Sequence, residues 1–94
     1  MNTFYIITNH QKDENLEMTR EIQNYLENHG KTCYIQSEAK VGPEHADYKF
    51  TNAAEIPEEV ECVLVLGGDG TLIQAARDTM KRNSPLLGFN LGTL

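Results

Sequence analysis

An apolar run that stops abruptly at glycine limits the folds open to this chain more than any other feature. Residues 62–66, CVLVL, are continuously apolar, and a glycine-rich stretch, residues 67–70 (GGDG), follows at once. A short unbroken apolar run beside a turn signal is typical of a strand buried on both faces in a parallel sheet. We therefore predict a central strand over 61–66, a glycine turn, and a helix over 71–83.

Three more apolar runs and one more amphipathic segment give an alternating order of elements. We predict further strands over 4–8, 32–36 and 86–90 and a helix over 16–29. Strands that alternate with helices favour an α/β fold, here a parallel, Rossmann- or flavodoxin-like sheet of about four strands with helices on its faces.

The expected strand order, 2-1-3-4, places a switch point between the first and third strands. Ligands of such sheets bind there, outside the carboxyl ends of the strands. The loops 9–15 and 67–71 and the residue Asn90 should therefore meet at this edge.

Both helical segments carry signals for a buried face and for their ends. The first should bury residues at three- and four-residue steps, namely Met18, Ile22, Tyr25 or Leu26, and His29. The second should likewise bury Leu72, Ile73, Ala76 and Met80. Asp13 or Asn15 can cap the first helix, and Gly30 suits the left-handed position that closes it.

Charge and composition argue against several classes of partner. The 94 residues suit one domain, and a formal net charge of −6 argues against a broad basic face for nucleic acid or an anionic membrane. No apolar run approaches the roughly 18–20 residues of a membrane span, and the N-terminus lacks the basic start of a signal peptide. We therefore expect a cytoplasmic protein that binds neither nucleic acid nor membrane.

Two features carry less information. The segment 37–60 is rich in acids, contains glycine and proline, and has no sustained period. We predict a loop with one helical turn near 56–61, which is either functional or an insertion. Cys33 and Cys62 lack CxxC spacing, so we expect buried free thiols and neither a metal nor a redox site.

The glycine turn is the candidate site. Gly67, Gly68 and Gly70 let a ligand approach the backbone and its N–H groups, and the following helix adds the positive end of its dipole. With Asp69 and Thr71 at the helix start, these residues favour phosphate binding. A purely structural turn stays open, because Asp and Thr are ordinary N-caps. The stretch is neither a Walker A loop nor a GxGxxG motif.

Asp69 needs an explanation, because bound phosphate repels a carboxylate. It could take the proton of a hydroxyl that accepts a phosphoryl group, or it could bind Mg²⁺ that bridges phosphates. The three histidines, His10, His29 and His45, show no ligand spacing. His29 suits the end of a helix, and His10 could face a ligand after the first strand.

Two stretches of the sequence resemble NAD kinases. Residues 67–71 match their GGDGT signature, which diacylglycerol and sphingoid lipid kinases and phosphofructokinases share in similar form. Residues 88–94, GFNLGTL, resemble the family's G-[IV]-N-x-G-x-L-G-F segment without its final Gly-Phe, and Phe89 replaces the usual Ile or Val. The P-x-G-T-x-N-D-type segment of lipid kinases is absent.

The resemblance implies a reaction and roles for single residues. NAD kinases use Mg²⁺ and transfer a phosphoryl group from ATP or polyphosphate to the adenosine 2′-hydroxyl of NAD, giving NADP. The acid of their GGDGT motif, here Asp69, is the catalytic base. The implied nucleotide-binding residues are Gly67, Gly68, Gly70, Thr71, Ile73, Gln74, Asn90 and Gly92. Gln74 departs from the family, in which this position is often basic.

The resemblance covers only part of such an enzyme. NAD kinases have a second, β-rich domain, which supplies an Asn-Glu pair and takes part in homo-oligomer assembly. Residues 1–94 would then be an N-terminal α/β domain, a fragment that does not catalyse alone. Two alternatives stay open, a lipid or sugar kinase of the same superfamily and a non-catalytic nucleotide-binding module.

Overall fold

A computed structural model describes residues 1–9, 13–36 and 56–90 of the chain. One sheet contains four parallel strands, β1 (Thr3–Thr8), β2 (Thr32–Ile35), β3 (Cys62–Gly67) and β4 (Leu86–Asn90). Their order is β2-β1-β3-β4, which confirms the predicted topology. Each strand differs from its predicted bounds by at most one residue at either end.

Two helices, α1 (Glu17–Asn28) and α2 (Asp69–Asp78), cover opposite faces of this sheet. The β1–α1–β2 unit runs towards one side of the sheet and the β3–α2–β4 unit towards the other. Right-handed crossovers in opposite directions place their helices on opposite faces. The described residues therefore form the predicted α/β arrangement, with a helix layer on each face of a parallel sheet.

β3 forms the centre of the core, and all of its residues are buried, as its unbroken apolar run predicts. The buried cluster on the α1 face consists of Ile6, Cys33, Cys62, Leu64 and Leu66. The buried cluster on the α2 face consists of Tyr5, Ile7, Ile56, Val60, Val63, Val65 and Ala75. Each buried aliphatic side chain contributes about 1.5–3 kcal/mol relative to its exposed state, so β3 stabilises both layers at once.

α1 buries only part of the face predicted for it. Thr19 is fully buried, with Ile22 and Leu26 partly buried beside it, whereas Met18 and Tyr25 are 41% and 62% exposed. The prediction followed apolar spacing alone. It was correct for Ile22 and Leu26 and wrong for Met18, Tyr25 and His29, because a threonine with buried hydrogen-bond partners occupies the centre of the face.

Gly30 closes α1 as predicted. Its φ is +77°, and its N–H donates to the Glu27 carbonyl (3.1 Å) while the Lys31 N–H donates to the Leu26 carbonyl (2.9 Å). These two bonds form a Schellman motif, which satisfies the last carbonyls of the helix.

α2 is shorter than predicted, and only Leu72 of its predicted apolar face packs, partly buried, against the core. It ends at Asp78, and its buried residues are Thr71 and Ala75, followed by Thr79 just after the helix. Ile73 and Met80, which were predicted to be core, are 56% and 78% exposed, and Ala76 is also exposed. Polar threonines again account for the difference, since the Thr79 hydroxyl donates to the Ala75 carbonyl (2.7 Å).

The helical turn predicted near 56–61 is a single hydrogen-bonded turn, in which the Val60 N–H donates to the Pro57 carbonyl (3.1 Å). Ile56 and Val60 anchor this turn in the core. The rest of the predicted loop, residues 37–55, lies outside the described residues.

Cys33 and Cys62 are free and buried, which confirms the prediction for both thiols. Within the described ranges, no helix has the length and apolar character needed to cross a membrane.

Candidate functional site

The carboxyl ends of β1, β3 and β4 lie side by side at one edge of the sheet. Gly67 is in register with Asn90, and the N–H of Asn9, the residue after β1, donates to the Leu66 carbonyl (2.8 Å). The connections from β1 and β3 leave in opposite directions, so this edge is a switch point, where sheets of this type bind ligands. The predicted meeting of Asn90 with the glycine turn is confirmed.

The glycine turn is shorter than predicted, because α2 begins inside the GGDGT motif. Gly67 ends β3, Gly68 is the N-cap with an extended backbone, and Asp69 is the first helical residue. The Leu72 N–H donates to the Gly68 carbonyl (3.2 Å) and closes the first turn. By the geometry of a helix start, the N–H groups of 69–71 lack intrahelical acceptors and form the positive end of the dipole. Phosphate binds readily to this arrangement.

Gly67 is required by packing. A Cβ at this position would lie 2.6 Å from Thr71 Oγ1 and 3.1 Å from the Asn9 Cβ. The absence of a side chain therefore lets the end of β3 lie directly against the first turn of α2 and the residue that follows β1.

Gly70 is not required by packing. It lies exposed in the first turn of α2, and a Cβ there would meet no atom of the described chain within 4 Å. Glycine in a helix is less stable than alanine by roughly 0.5–1 kcal/mol, so the fold itself gains nothing from it. A ligand, in contrast, could approach the backbone closely at Gly70.

Asp69 is exposed at the first helical position. A carboxylate there interacts favourably with the helix dipole, by about 0.3–1 kcal/mol, which is the structural explanation for its presence. Its oxygens are also open to a ligand hydroxyl beside the N–H groups that suit phosphate. The site thus combines an anion-binding backbone with a group that can accept a proton.

Three other predicted residues differ in how open they are to a ligand. Thr71 is buried, and its Oγ1 accepts a hydrogen bond from the Asn9 side chain (Nδ2–Oγ1 3.3 Å). The Gln74 side chain is partly buried and donates to Asp78 Oδ1 (3.0 Å). Ile73 is exposed, which leaves an apolar surface one turn from Asp69.

Asn9 was not among the predicted site residues, although the loop that it opens was expected at this edge. The available signal was its position, since a polar side chain directly follows a buried strand beside the switch point. Two predicted candidates, His10 and Gly92, lie outside the described residues.

The described residues do not fit a protein-held metal site. Among them no three His, Cys, Asp or Glu side chains are grouped so that they could hold a metal ion. Asp69 alone would provide at most one carboxylate, whereas hard cations in proteins take several oxygen ligands.

Comparison with known proteins identifies the chain's relatives. Residues 4–94 match the family model described as ATP-NAD kinase N-terminal domain. The NAD kinase of Lachnoclostridium phytofermentans is 46% identical over 94 residues, which are 100% of this chain and 31% of that protein. The NAD kinases of Lachnospira eligens and Acidobacterium capsulatum are 40% and 38% identical, over all of this chain and over 32% and 33% of their own lengths.

The chain thus spans about a third of the length of the curated relatives it matches. No solved structure matches it.

Proposed function

The chain belongs to the NAD kinase family, and we propose that it supplies half of a cleft in which ATP phosphorylates the adenosine 2′-hydroxyl of NAD to give NADP. One observation carries the proposal, the exposed carboxylate of Asp69 beside a glycine-lined helix N-terminus at the switch point. Membership of this family confirms the resemblance seen in the sequence and favours NAD over a lipid or sugar as acceptor.

In the proposed reaction, the ribose 2′-oxygen attacks the γ-phosphorus of ATP. The bond from that phosphorus to the β–γ bridging oxygen breaks, and ADP leaves. The 2′-hydroxyl loses its proton to the Asp69 carboxylate, which is the general base. The N–H groups of the first turn of α2 bind phosphate oxygens and hold the reactants in line.

The neighbouring residues would bind the nucleotide. Gly70 admits the ligand to the backbone, and the exposed Ile73 offers it an apolar surface. Gln74 can provide a neutral amide, and Asn90 and Gly92 belong to the second motif that marks the resemblance. Gly67, Gly68 and Thr71 shape the turn itself.

The remaining components of the proposal concern the complete enzyme. The family description includes ATP, which favours ATP over polyphosphate as the donor. A divalent cation such as Mg²⁺ stays a prediction, and the described residues hold no group of His, Cys, Asp and Glu side chains that could bind it. A second, β-rich domain, a homo-oligomeric assembly and a cytoplasmic location stay predictions.

Substitution of the base tests the proposal. In the complete enzyme, Asp69→Asn should lower kcat by about 10² to 10⁴, the usual contribution of general acid–base catalysis, while the unfolding temperature stays close to wild type. The matched control is Glu61→Gln at the opposite edge of the sheet, where the Glu61 carboxylate accepts the Asn2 N–H (2.9 Å). NADP formation at saturating ATP and NAD is the measurement. Unchanged turnover in Asp69→Asn would remove this residue from the mechanism.

A further inference from the structure

The end of β1 is bonded to both helices. Thr8 and Asn9 are consecutive and therefore project to opposite faces of the sheet. Thr8 Oγ1 lies 2.6 Å from Thr19 Oγ1 of α1, and the Asn9 side-chain amide donates to Thr71 Oγ1 of α2 (3.3 Å). One dipeptide thus joins the first turns of two helices that lie in different layers.

On the α1 side, the contacts form a buried chain of hydrogen bonds. The Thr19 hydroxyl donates to Asp13 Oδ2 (2.6 Å), so the Thr8 hydroxyl must be the donor to Thr19. The Asp13 carboxylate also accepts the N–H groups of Met18 (2.8 Å) and Thr19 (2.9 Å). Asp13 and Thr19 are 4% and 0% exposed, so water cannot easily replace these bonds.

The Asn9 backbone is held from two sides. Its N–H donates to the Leu66 carbonyl of β3 (2.8 Å), and its carbonyl accepts the Asp13 N–H (3.1 Å). Because both the N–H and the carbonyl of Asn9 form hydrogen bonds, its backbone is fixed, and its side chain points towards α2 in a defined direction. Its amide therefore places Thr71 relative to β1 and β3.

On the α2 side, Thr71 packs closely against the end of β3. Gly67 lies so close that an added Cβ would be 2.8 Å from the Thr71 Cβ. Thr71 follows Asp69 by two residues in the same helical turn. A shift of Thr71 would therefore carry Asp69 and the phosphate-binding N–H groups with it.

We propose that Asn9 is a positioning residue of the kinase site, which holds Asp69 in place through its hydrogen bond to Thr71. The inference rests on the proposed function. The oxygen of a general base must lie within about 2.6–3.2 Å of the oxygen whose proton it removes. Misplacement by about 1 Å can cost 10²-fold in rate. Asn9 itself need not contact the reacting atoms.

The test removes each partner of this hydrogen bond in the complete enzyme. Asn9→Ala and the nearly isosteric Thr71→Val should each lower kcat about tenfold to a hundredfold, with the KM values for ATP and NAD within about twofold of wild type. Thr71→Ser, which keeps the acceptor oxygen, should retain most of the rate. The double variant should be no slower than the slower single variant, because both substitutions remove the same bond.

Thr79→Val is the matched control. Thr79 is also a buried threonine of the α2 region, and its hydroxyl donates to the Ala75 carbonyl (2.7 Å) at the end far from Asp69. This variant should lower the unfolding temperature and leave kcat per folded molecule unchanged. If Asn9→Ala behaves like Thr79→Val, Asn9 is only structural and the inference is wrong.

Two further outcomes separate the inference from the function on which it rests. If the rate losses of Asn9→Ala and Thr71→Val multiply in the double variant, the two side chains act independently and the coupling is refuted. If wild-type enzyme forms no NADP from ATP and NAD, the proposed function fails, and the inference with it. If Asn9→Ala does not fold, the kcat values of Thr71→Val and Thr79→Val still test the inference, since only Thr71→Val should lower kcat.

Discussion

Gly67 and Gly70 occupy one motif for different physical reasons. At Gly67 a side chain would overlap Thr71, so the fold requires glycine. At Gly70 the described chain leaves open space, and the helix would be more stable with alanine. The contact between β3 and α2 explains the first glycine, and we propose that the approach of a ligand explains the second.

Alanine substitutions should separate these two reasons. Gly67→Ala should lower the free energy of unfolding by about 1–3 kcal/mol, the usual cost of overpacking. Gly70→Ala should leave it unchanged or raise it by up to about 1 kcal/mol, while it raises the KM for nucleotide in the complete enzyme. Urea unfolding and steady-state kinetics provide the two measurements. A larger loss of stability in Gly70→Ala than in Gly67→Ala would contradict the assignment.

The thiol of Cys33 provides a prediction about pH. Burial, with a smaller effect of the Glu27 carboxylate, raises the pKa of this thiol from 9.0 to about 11. Between these two pH values the native state keeps the thiol proton, whereas the unfolded chain loses it. The contribution of Cys33 to the free energy of unfolding is therefore fully present below pH 9 and is lost as the pH rises towards 11. Urea unfolding across this range should show a steeper fall for wild type than for Cys33→Ala. Parallel curves for the two proteins would show that Cys33 does not contribute.

At the scale of single elements, the start of α1 is strained and specifically stabilised. A short 3₁₀ turn, Glu14–Leu16, precedes the helix, and Asn15 and Leu16 have φ values of +56° and +57°. A left-handed conformation costs a side chain such as leucine about 1–2 kcal/mol. The three hydrogen bonds to the Asp13 carboxylate offset this cost. The N-cap position itself is Leu16, so neither predicted residue occupies it. The Asp13 carboxylate nevertheless satisfies the N–H groups of Met18 and Thr19 in the first turn, whereas Asn15 lies in the strained turn.

Loss of the Asp13 cap should destabilise the chain clearly. Asp13→Ala removes the acceptor of three hydrogen bonds and leaves the buried Thr19 without it, so the free energy of unfolding should fall by about 2–3 kcal/mol. Glu17→Ala, which removes an exposed acid from the first turn of the same helix, should cost no more than about 1 kcal/mol. Urea denaturation of both variants measures the difference. Equal losses would show that the Asp13 network adds nothing beyond charge at a helix start.

At the scale of the whole molecule, hydrogen bonds tie together the edge at the amino ends of the strands, whereas the edge at their carboxyl ends exposes the candidate site. At the amino ends of the strands, the Arg82 guanidinium donates to the carbonyls of Pro57 (3.3 Å) and Val60 (3.1 Å), and the Ser84 hydroxyl also donates to Val60 (3.2 Å). These bonds tie the chain before β3 to the chain before β4. At the carboxyl ends, Asp69 and Gly70 are exposed and available to a ligand.

Under the proposed function this open edge is one half of a cleft, so residues 1–94 alone should form no detectable NADP. Catalysis needs both substrates held in line and water excluded, which one wall cannot achieve. The measurement is NADP formation by the purified chain at millimolar ATP and NAD, with the complete enzyme as the positive control. Measurable turnover by the chain alone would overturn this prediction.

The sequence by itself determined the strands, their order and the place of the motif. The apolar run before Gly67 marks a doubly buried strand, and alternation of strands with helices leads to a parallel sheet with a switch point. Gly30 correctly marked the end of α1, because the left-handed conformation that closes a helix depends on the residue at that one position. The GGDGT and GFNLGTL stretches were enough to indicate the family, which the match over 4–94 confirms.

Only the tertiary structure showed that threonines complete the buried helix faces and how the site is held. Thr19, Thr71 and Thr79 are buried although apolar spacing did not include them, because the hydroxyl of each has a hydrogen-bond partner. Apolar periodicity reports only hydrophobicity along the sequence. It does not show the hydrogen-bond partners of a threonine, some of which lie far away in the chain. For the same reason the sequence did not show that Asn9 reaches Thr71, since that bond exists only after β1 and β3 pair side by side.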